Sequence, residues 1–222
     1  MQKRIDYFPV AEEMYEAAAK LICKSAGKAI SYSGSFALVL AGGETPLPLY
    51  RKLLDLQLPW DKMDFFWSDE RCVDKHDAMS NYGNAMDAFL KQAPVAQEKI
   101  HRIRTELSPG KAASAYAKEL IEFKFASGRM KFFDLVLLGM GEDGHTASLF
   151  PESEALNEKE KLVVAVRPQT AVPRVTLTYP AIADSEAVLF MIKGKNKKDL
   201  LTSGKDIPAT KVRSKNITWF TT

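Results

Sequence analysis

The stretch Phe133–Ser153, FDLVLLGMGEDGHTASLFPES, carries one of the three histidines in a 222-residue chain and sets it directly behind a cluster of glycines. Gly139-Met140-Gly141-Glu142-Asp143-Gly144 spells G-x-G-x-x-G, the spacing of a dinucleotide-binding turn. Such a turn needs its third glycine to open a long helix whose N-terminus faces a pyrophosphate. Pro151 comes too soon: proline disfavours helical geometry in the residue before it, so a helix begun near Gly144 would end at about Phe150. Asp143 would also put an anion inside the phosphate cradle. The alternative is acid–base chemistry. Glycines turn the backbone sharply after an apolar strand and deliver Asp143 and His145 into a cleft, where an imidazole, with an unperturbed pKa of ~6.5, acts as base or acid near neutrality. Asp143 could then hold the tautomer. The plainer reading is a histidine that only hydrogen-bonds its own turn.

Three further turns hold residues able to meet an anion. Gly42-Gly43-Glu44-Thr45-Pro46 exposes backbone N–H groups and a hydroxyl next to a helix start, which suits a phosphate; the Lys-Ser/Thr ending of a Walker loop is missing, and an ordinary strand-to-helix turn is equally open. Asp69-Glu70-Arg71 offers Arg71 as a fork for phosphate or for a developing oxyanion, or else is a surface charge cluster. Cys72 beside it is a thiol, read as packing rather than as a nucleophile. Lys193, Lys195, Lys197 and Lys198 surround the Gly194 turn; most are expected to be solvated and one to reach an anionic ligand.

The elements that must position these residues follow from periodicity. Ala11 to Ile30 has apolar residues at helical spacing and stops at Ser33-Gly34-Ser35. Phe36–Leu40, Asp64–Trp67, Ile100–Ile103 and Phe133–Leu138 read as short strands, as do Leu162–Val166, Arg174–Thr178, Ala187–Ile192 and Ile217–Phe220. Helices are expected after the glycine turn at Leu47–Leu54, over Asn81–Leu90 and Ala112–Phe125, and from Asn196 to Leu201. Strands alternating with helices imply an α/β fold: a mostly parallel open sheet flanked by helices on both faces, Rossmann-like, with ligands outside the carboxyl ends of its strands.

A chain of 222 residues with 46% hydrophobic and 27% charged residues fits one globular domain spanning 1–222 and favours neither a disordered nor a membrane class. A formal charge of +3, with cations scattered among acids, does not point to nucleic acid. No secretory h-region and no run of ~18 apolar residues is present, so membrane anchoring and export are not expected. Cys23 and Cys72 have no Cys/His partner spacing, which suits a reduced cytoplasmic setting and gives no metal site.

Taken in order, LAGGETPLPLY, FFWSDERCV with SNYGNA, FDLVLLGMGEDGHTASLFP, PRVTLTYPAI and IKGKNKKDLL resemble the 6-phosphogluconolactonases, from about Phe36 to Trp219. The resemblance implies a fold shared with glucosamine-6-phosphate deaminase and a hydrolysis of 6-phospho-D-glucono-1,5-lactone that needs neither metal nor cofactor. It also implies a role in the oxidative pentose phosphate pathway. It makes His145 the general base with Asp143 in the same segment, maps the D-E-R arginine to Arg71, and assigns phosphate binding to Gly42, Gly43, Thr45, Arg174 and Lys197. The chain departs from relatives at Ala41 and Glu44, where many carry serine, so Glu44 must point away from a phosphate or weaken its site. It also lacks the segment with which relatives continue past Trp-Phe, so the packing at that end is expected to differ. Glucosamine-6-phosphate deaminases resemble it too, but their D-G-H is followed by I-A-F-N-E-P with a further carboxylate, which Thr146–Pro151 lacks. A non-catalytic sugar-phosphate sensor on the same fold is the other alternative. Neither oligomeric state nor choice among phosphosugar lactones is written in the sequence.

Overall fold

The computed structural model describes residues 2–168 and 172–222. In chain order the elements are β1 (Gln2–Tyr7), α1 (Ala11–Ser33), β2 (Phe36–Leu40), α2 (Leu47–Leu53), β3 (Met63–Trp67), β4 (Asp69–Arg71) and α3 (Asn81–Ala85), which continues as a π-helical turn, Met86–Leu90. They go on with α4 (Pro109–Ala126), β5 (Phe133–Leu138), β6 (Val163–Val166), β7 (Arg174–Leu177), α5 (Tyr179–Ala183), β8 (Ser185–Ile192), α6 (Lys195–Thr202), α7 (Pro208–Lys211) and β9 (Asn216–Thr221).

Six strands form one parallel sheet in the order β1-β9-β8-β5-β2-β3. All five residues of β2 and all five of β3 are buried. Since successive side chains point to opposite faces, both faces of these strands are covered, which is why they read as unbroken apolar runs. Helix α1 covers β2, β5 and β9 with one stripe, Met14, Ala18, Ile22, Ala26 and Ala29, and ends at Gly34, whose left-handed backbone (φ 79°) lets its N–H donate to the Ile30 carbonyl.

The strand order creates the crevice. From β2 the chain crosses to β3 on one side, whereas β5, on the other side of β2, leads away towards β8. The turns after β2 and β5 therefore leave in opposite directions and open a gap between them at the carboxyl ends.

Three expectations are corrected. Leu162–Val166 and Arg174–Thr178 do not join the parallel sheet: β7 pairs antiparallel with β4 on one side and β6 on the other in a second sheet, order β4-β7-β6, against which α4 packs. This sheet branches from the first at Ser68, whose N–H donates to the Leu40 carbonyl and whose carbonyl accepts from Leu177. Asp69-Glu70-Arg71 is thus a strand rather than a turn. Among the described residues Ile100–Ile103 makes only one bridge, Ile100 to Phe65, because the chain turns away after the His101 N–H reaches the Phe65 carbonyl. β1 was not foreseen from the polar sequence QKRIDY; it is an edge strand, where polar residues are tolerated. At the other end Trp219 stacks on Phe190 with centroids 3.7 Å apart, and Phe220 meets Phe8 edge-on. Among the described residues no helix is long and apolar enough to cross a membrane.

Candidate active site

No helix opens behind the glycine cluster. The chain from Gly139 to Ser153 is a chain of turns, and the next helical element is the single 3-10 turn Glu154–Asn157. The glycines serve the histidine instead. Gly144 adopts φ 82°, a backbone region that side chains rarely enter, and its α-carbon abuts Ile207, so that a β-carbon there would come within 2.6 Å of it. The loop closes on itself through Gly144 N–H to the Gly141 carbonyl (3.1 Å) and Gly141 N–H to the His145 carbonyl (2.9 Å). The His145 ring then lies on Gly141, where a β-carbon would approach two ring atoms to 2.2 Å.

Asp143 Oδ1 accepts from the His145 N–H at 3.1 Å and faces Nδ1 at 2.5 Å. With the carboxylate ionised, the proton belongs on Nδ1 and the neutral ring keeps its lone pair on Nε2. Partial burial pushes the Asp143 carboxyl up, but the backbone N–H and imidazole of His145 outweigh it and hold the carboxyl below the ordinary aspartate value. The imidazole is 31% exposed, and its ring centroid stands 4.7 Å from that of Phe150. Phe150 in turn lies under the Arg174 guanidinium, 5.9 Å from its centroid.

Arg71 and Arg174 occupy directly opposed positions of β4 and β7. Like charges so placed repel each other. Burial, then the nearby Arg71 charge, pulls the Arg174 pKa below the ordinary arginine value. The Nε atoms of both are buried without a partner among the described residues, while Arg71 Nη1 donates to the Met79 carbonyl at 2.6 Å. A pair of half-satisfied guanidiniums on one wall is a receptor for an anion. Across the crevice, the N–H groups of Gly42, Gly43, Glu44 and Thr45 find no acceptor among the described residues.

These groups meet in one cavity of about 370 Å³, whose lining includes His145, Arg71, Arg174, Lys197 and the turn from Gly42 to Thr45. Of the site residues expected from sequence only Asp143 lies outside the lining, behind the imidazole. Lys197 Nζ also stands 3.7 Å from the Glu142 carboxylate. Of the other lysines near Gly194, Lys193 and Lys195 are exposed and Lys198 covers the Tyr7 ring. Glu44 is exposed at the rim, its carboxylate unpaired among the described residues. No group of three or more His, Cys, Asp or Glu side chains is placed to hold a metal ion among the described residues.

The acidic pair before Arg71 is not a surface cluster. Glu70 is 1% exposed and accepts the N–H groups of Arg71, Asn81 and Tyr82 and the Ser80 hydroxyl, which ties down the loop between them. Burial pushes its carboxyl above the ordinary glutamate value, against the pull of those N–H donors. The Cys72 thiol is likewise pushed up by burial and then by Glu70, which disfavours the thiolate and agrees with a packing role. Sequence reasoning missed Phe150, Asn81 and Ser148; the last two are buried polar side chains in runs that otherwise read as helix and loop.

The sequence profile described as "Glucosamine-6-phosphate isomerases/6-phosphogluconolactonase" matches residues 9–219. A 6-phosphogluconolactonase of Nostoc sp. is 38% identical over 203 residues, covering 90% of this chain and 84% of that protein. One of Thermotoga maritima is 41% identical over 189 residues, covering 82% of each. The crystal structure of a Thermotoga maritima 6-phosphogluconolactonase superimposes with a TM-score of 0.87 at 33% identity, over 99% of both chains.

Proposed function

Because this chain belongs to the glucosamine-6-phosphate isomerase/6-phosphogluconolactonase family, we propose that it hydrolyses 6-phospho-D-glucono-1,5-lactone to 6-phospho-D-gluconate, a step of the oxidative pentose phosphate pathway. The relatives named above are lactonases, and Thr146–Pro151 carries no carboxylate for the amine chemistry of the isomerase branch.

The single observation that carries the mechanism is the His145 ring, oriented by Asp143 and open to a cavity with a cationic wall. His145 Nε2 takes a proton from water as the water oxygen bonds to C1 of the lactone. The carbonyl electrons move onto oxygen, and the tetrahedral intermediate collapses by breaking the bond from C1 to the ring oxygen. The imidazolium returns its proton to that departing oxygen, leaving a free hydroxyl and a carboxyl group that then ionises. No covalent nucleophile enters. Arg174, with Lys197, Thr45 and the free N–H groups of Gly42 and Gly43, suits the phosphate tail. Arg71, opposed to Arg174 on the neighbouring strand, is the side chain available to the oxyanion. The substrate's own charge relieves the repulsion between the two arginines.

The same reading makes residues 1–222 one catalytic domain working on a small phosphosugar lactone. Its two free thiols, Cys23 and Cys72, suit a reduced, cytoplasmic setting. A rapid lactonase assay on freshly made substrate, corrected for spontaneous hydrolysis, tests the proposal. His145→Ala is expected to lower kcat by ~10²–10⁴-fold with an unchanged melting temperature. Undiminished turnover in that variant removes His145 as the base; ammonia release from glucosamine 6-phosphate by the wild type moves the chain to the isomerase branch.

A further inference from the structure

Asp69 is 5% exposed, and its hydrogen bonds go to residues that the reaction above does not use. Its Oδ2 accepts the Ser148 hydroxyl at 2.6 Å. Its Oδ1 accepts from the Ser68 hydroxyl and from Asn81 Nδ2, each at 3.3 Å, and its main-chain carbonyl accepts Asn81 Nδ2 at 2.9 Å. The two side chains it holds lead in different directions. Ser148 stands three residues after His145 on the same turn, and its N–H donates to Thr176 Oγ1, two residues after Arg174. Asn81 lays its amide against Gly42, so closely that a β-carbon on that glycine would come within 2.2 Å of Oδ1. Asn81 is itself 3% exposed, is anchored by its N–H to Glu70, and leaves Oδ1 without a partner among the described residues.

One buried carboxylate therefore fastens the turn that carries the imidazole to the turn that offers free N–H groups, and the two turns come from different strands of the sheet. A carboxylate out of water is stable only while its acceptor sites are filled, so neither contact is free to drift. We propose that Asp69 is a positioning residue that fixes the separation between the water-activating imidazole and the anion-binding glycine turn, acting through Ser148 on one side and Asn81 on the other. This deepens the lactonase reading and rests on it: the lactone presents C1 at one end and the phosphate on C6 at the other, so the separation of the two turns decides whether both ends are held at once.

The two arms of the clasp are separable by kinetics. Ser148→Ala releases the imidazole turn and is expected to lower kcat about tenfold to a hundredfold, since a misplacement of about 1 Å costs up to ~10²-fold, with KM within about twofold. Asn81→Ala slackens the glycine turn and is expected to raise KM about tenfold with kcat within about twofold. Wild-type lactone turnover is measured first; an inactive wild type overturns the lactonase reading and, with it, the clasp. With an active wild type, the clasp alone is overturned if both variants keep wild-type constants, or if kcat and KM change together in each variant in step with a fall in melting temperature. Should an alanine variant fail to fold, Asp69→Asn, of the same shape, decides: a kcat/KM at least tenfold below wild type in a folded protein supports the clasp, and wild-type kcat/KM overturns it.

Discussion

Gly141 shows how a residue without a side chain governs one that has chemistry. Its α-carbon is the floor on which the His145 ring rests, and a methyl group there would overlap the ring. Gly141→Ala is therefore expected to turn the imidazole away from Asp143 and cut kcat about tenfold or more, while circular dichroism and melting temperature stay near wild type because the residue lies in a surface turn; wild-type kcat would show that the ring can move aside at no cost. The histidine and Arg174 were legible in the sequence because local motifs carry them, DGHTAS and RVTLT. Ser148 and Asn81 were not. Their partner Asp69 is distant from Ser148 in sequence, and a polar residue that will be buried looks the same as one that will be solvated. Glu70 left two readings open for the same reason: its charge allowed a surface cluster, whereas three backbone N–H groups take the place of water around it.

At the level of elements, α4 is fastened to β3 through His101, a histidine the mechanism does not use. Its Nδ1 faces Glu119 on α4 at 2.9 Å, its Nε2 faces Asp64 on β3 at 3.3 Å, and its ring stacks on Phe66 at 4.3 Å and near Phe123. Lys99 stands 3.6 Å from the other oxygen of Asp64. Both ring nitrogens meet carboxylate oxygens, which calls for the doubly protonated ring. Burial lowers the His101 pKa, but Asp64 and Glu119 together outweigh it and the pKa lies above the ordinary histidine value. A raised pKa gives stabilisation that is complete below the unfolded value of ~6.5 and is lost as pH rises through the folded one. Denaturant midpoints followed from about pH 6 to 9 should thus fall more in the wild type than in His101→Gln, and parallel curves would show that the clamp is silent. The strands of the main sheet other than β1 were readable from their apolar runs. The second sheet was not, since β4, β6 and β7 look like any short strands and only the Ser68 branch assigns them to a separate layer.

For the molecule as a whole, the opposed Arg71 and Arg174 make the unliganded fold pay an electrostatic penalty that a bound anion relieves. 6-Phosphogluconate, binding only the folded chain, should stabilise it by about 2.7 kcal/mol at a hundred times its Kd, which for a domain of this size is a rise of roughly 5–10 °C in melting temperature. Arg174→Gln should abolish most of that rise; an equal rise in the variant would move the anion elsewhere. The position of the cavity was predictable from strand order alone, because turns leaving β2 and β5 in opposite directions must part. That Arg71 and Arg174 would reach the gap from a second sheet was not, since both were expected on elements of the main sheet and its turns. The order β1-β9-β8 carries another consequence, for biosynthesis. Among the described residues Gln2–Tyr7 has its only sheet neighbour in Asn216–Thr221. While a nascent chain is still emerging from the ribosome, β2, β3, β5 and β8 can align around the crevice, but the earliest-made strand must wait for the farthest one. The sheet is closed at that edge only after translation has passed Thr221.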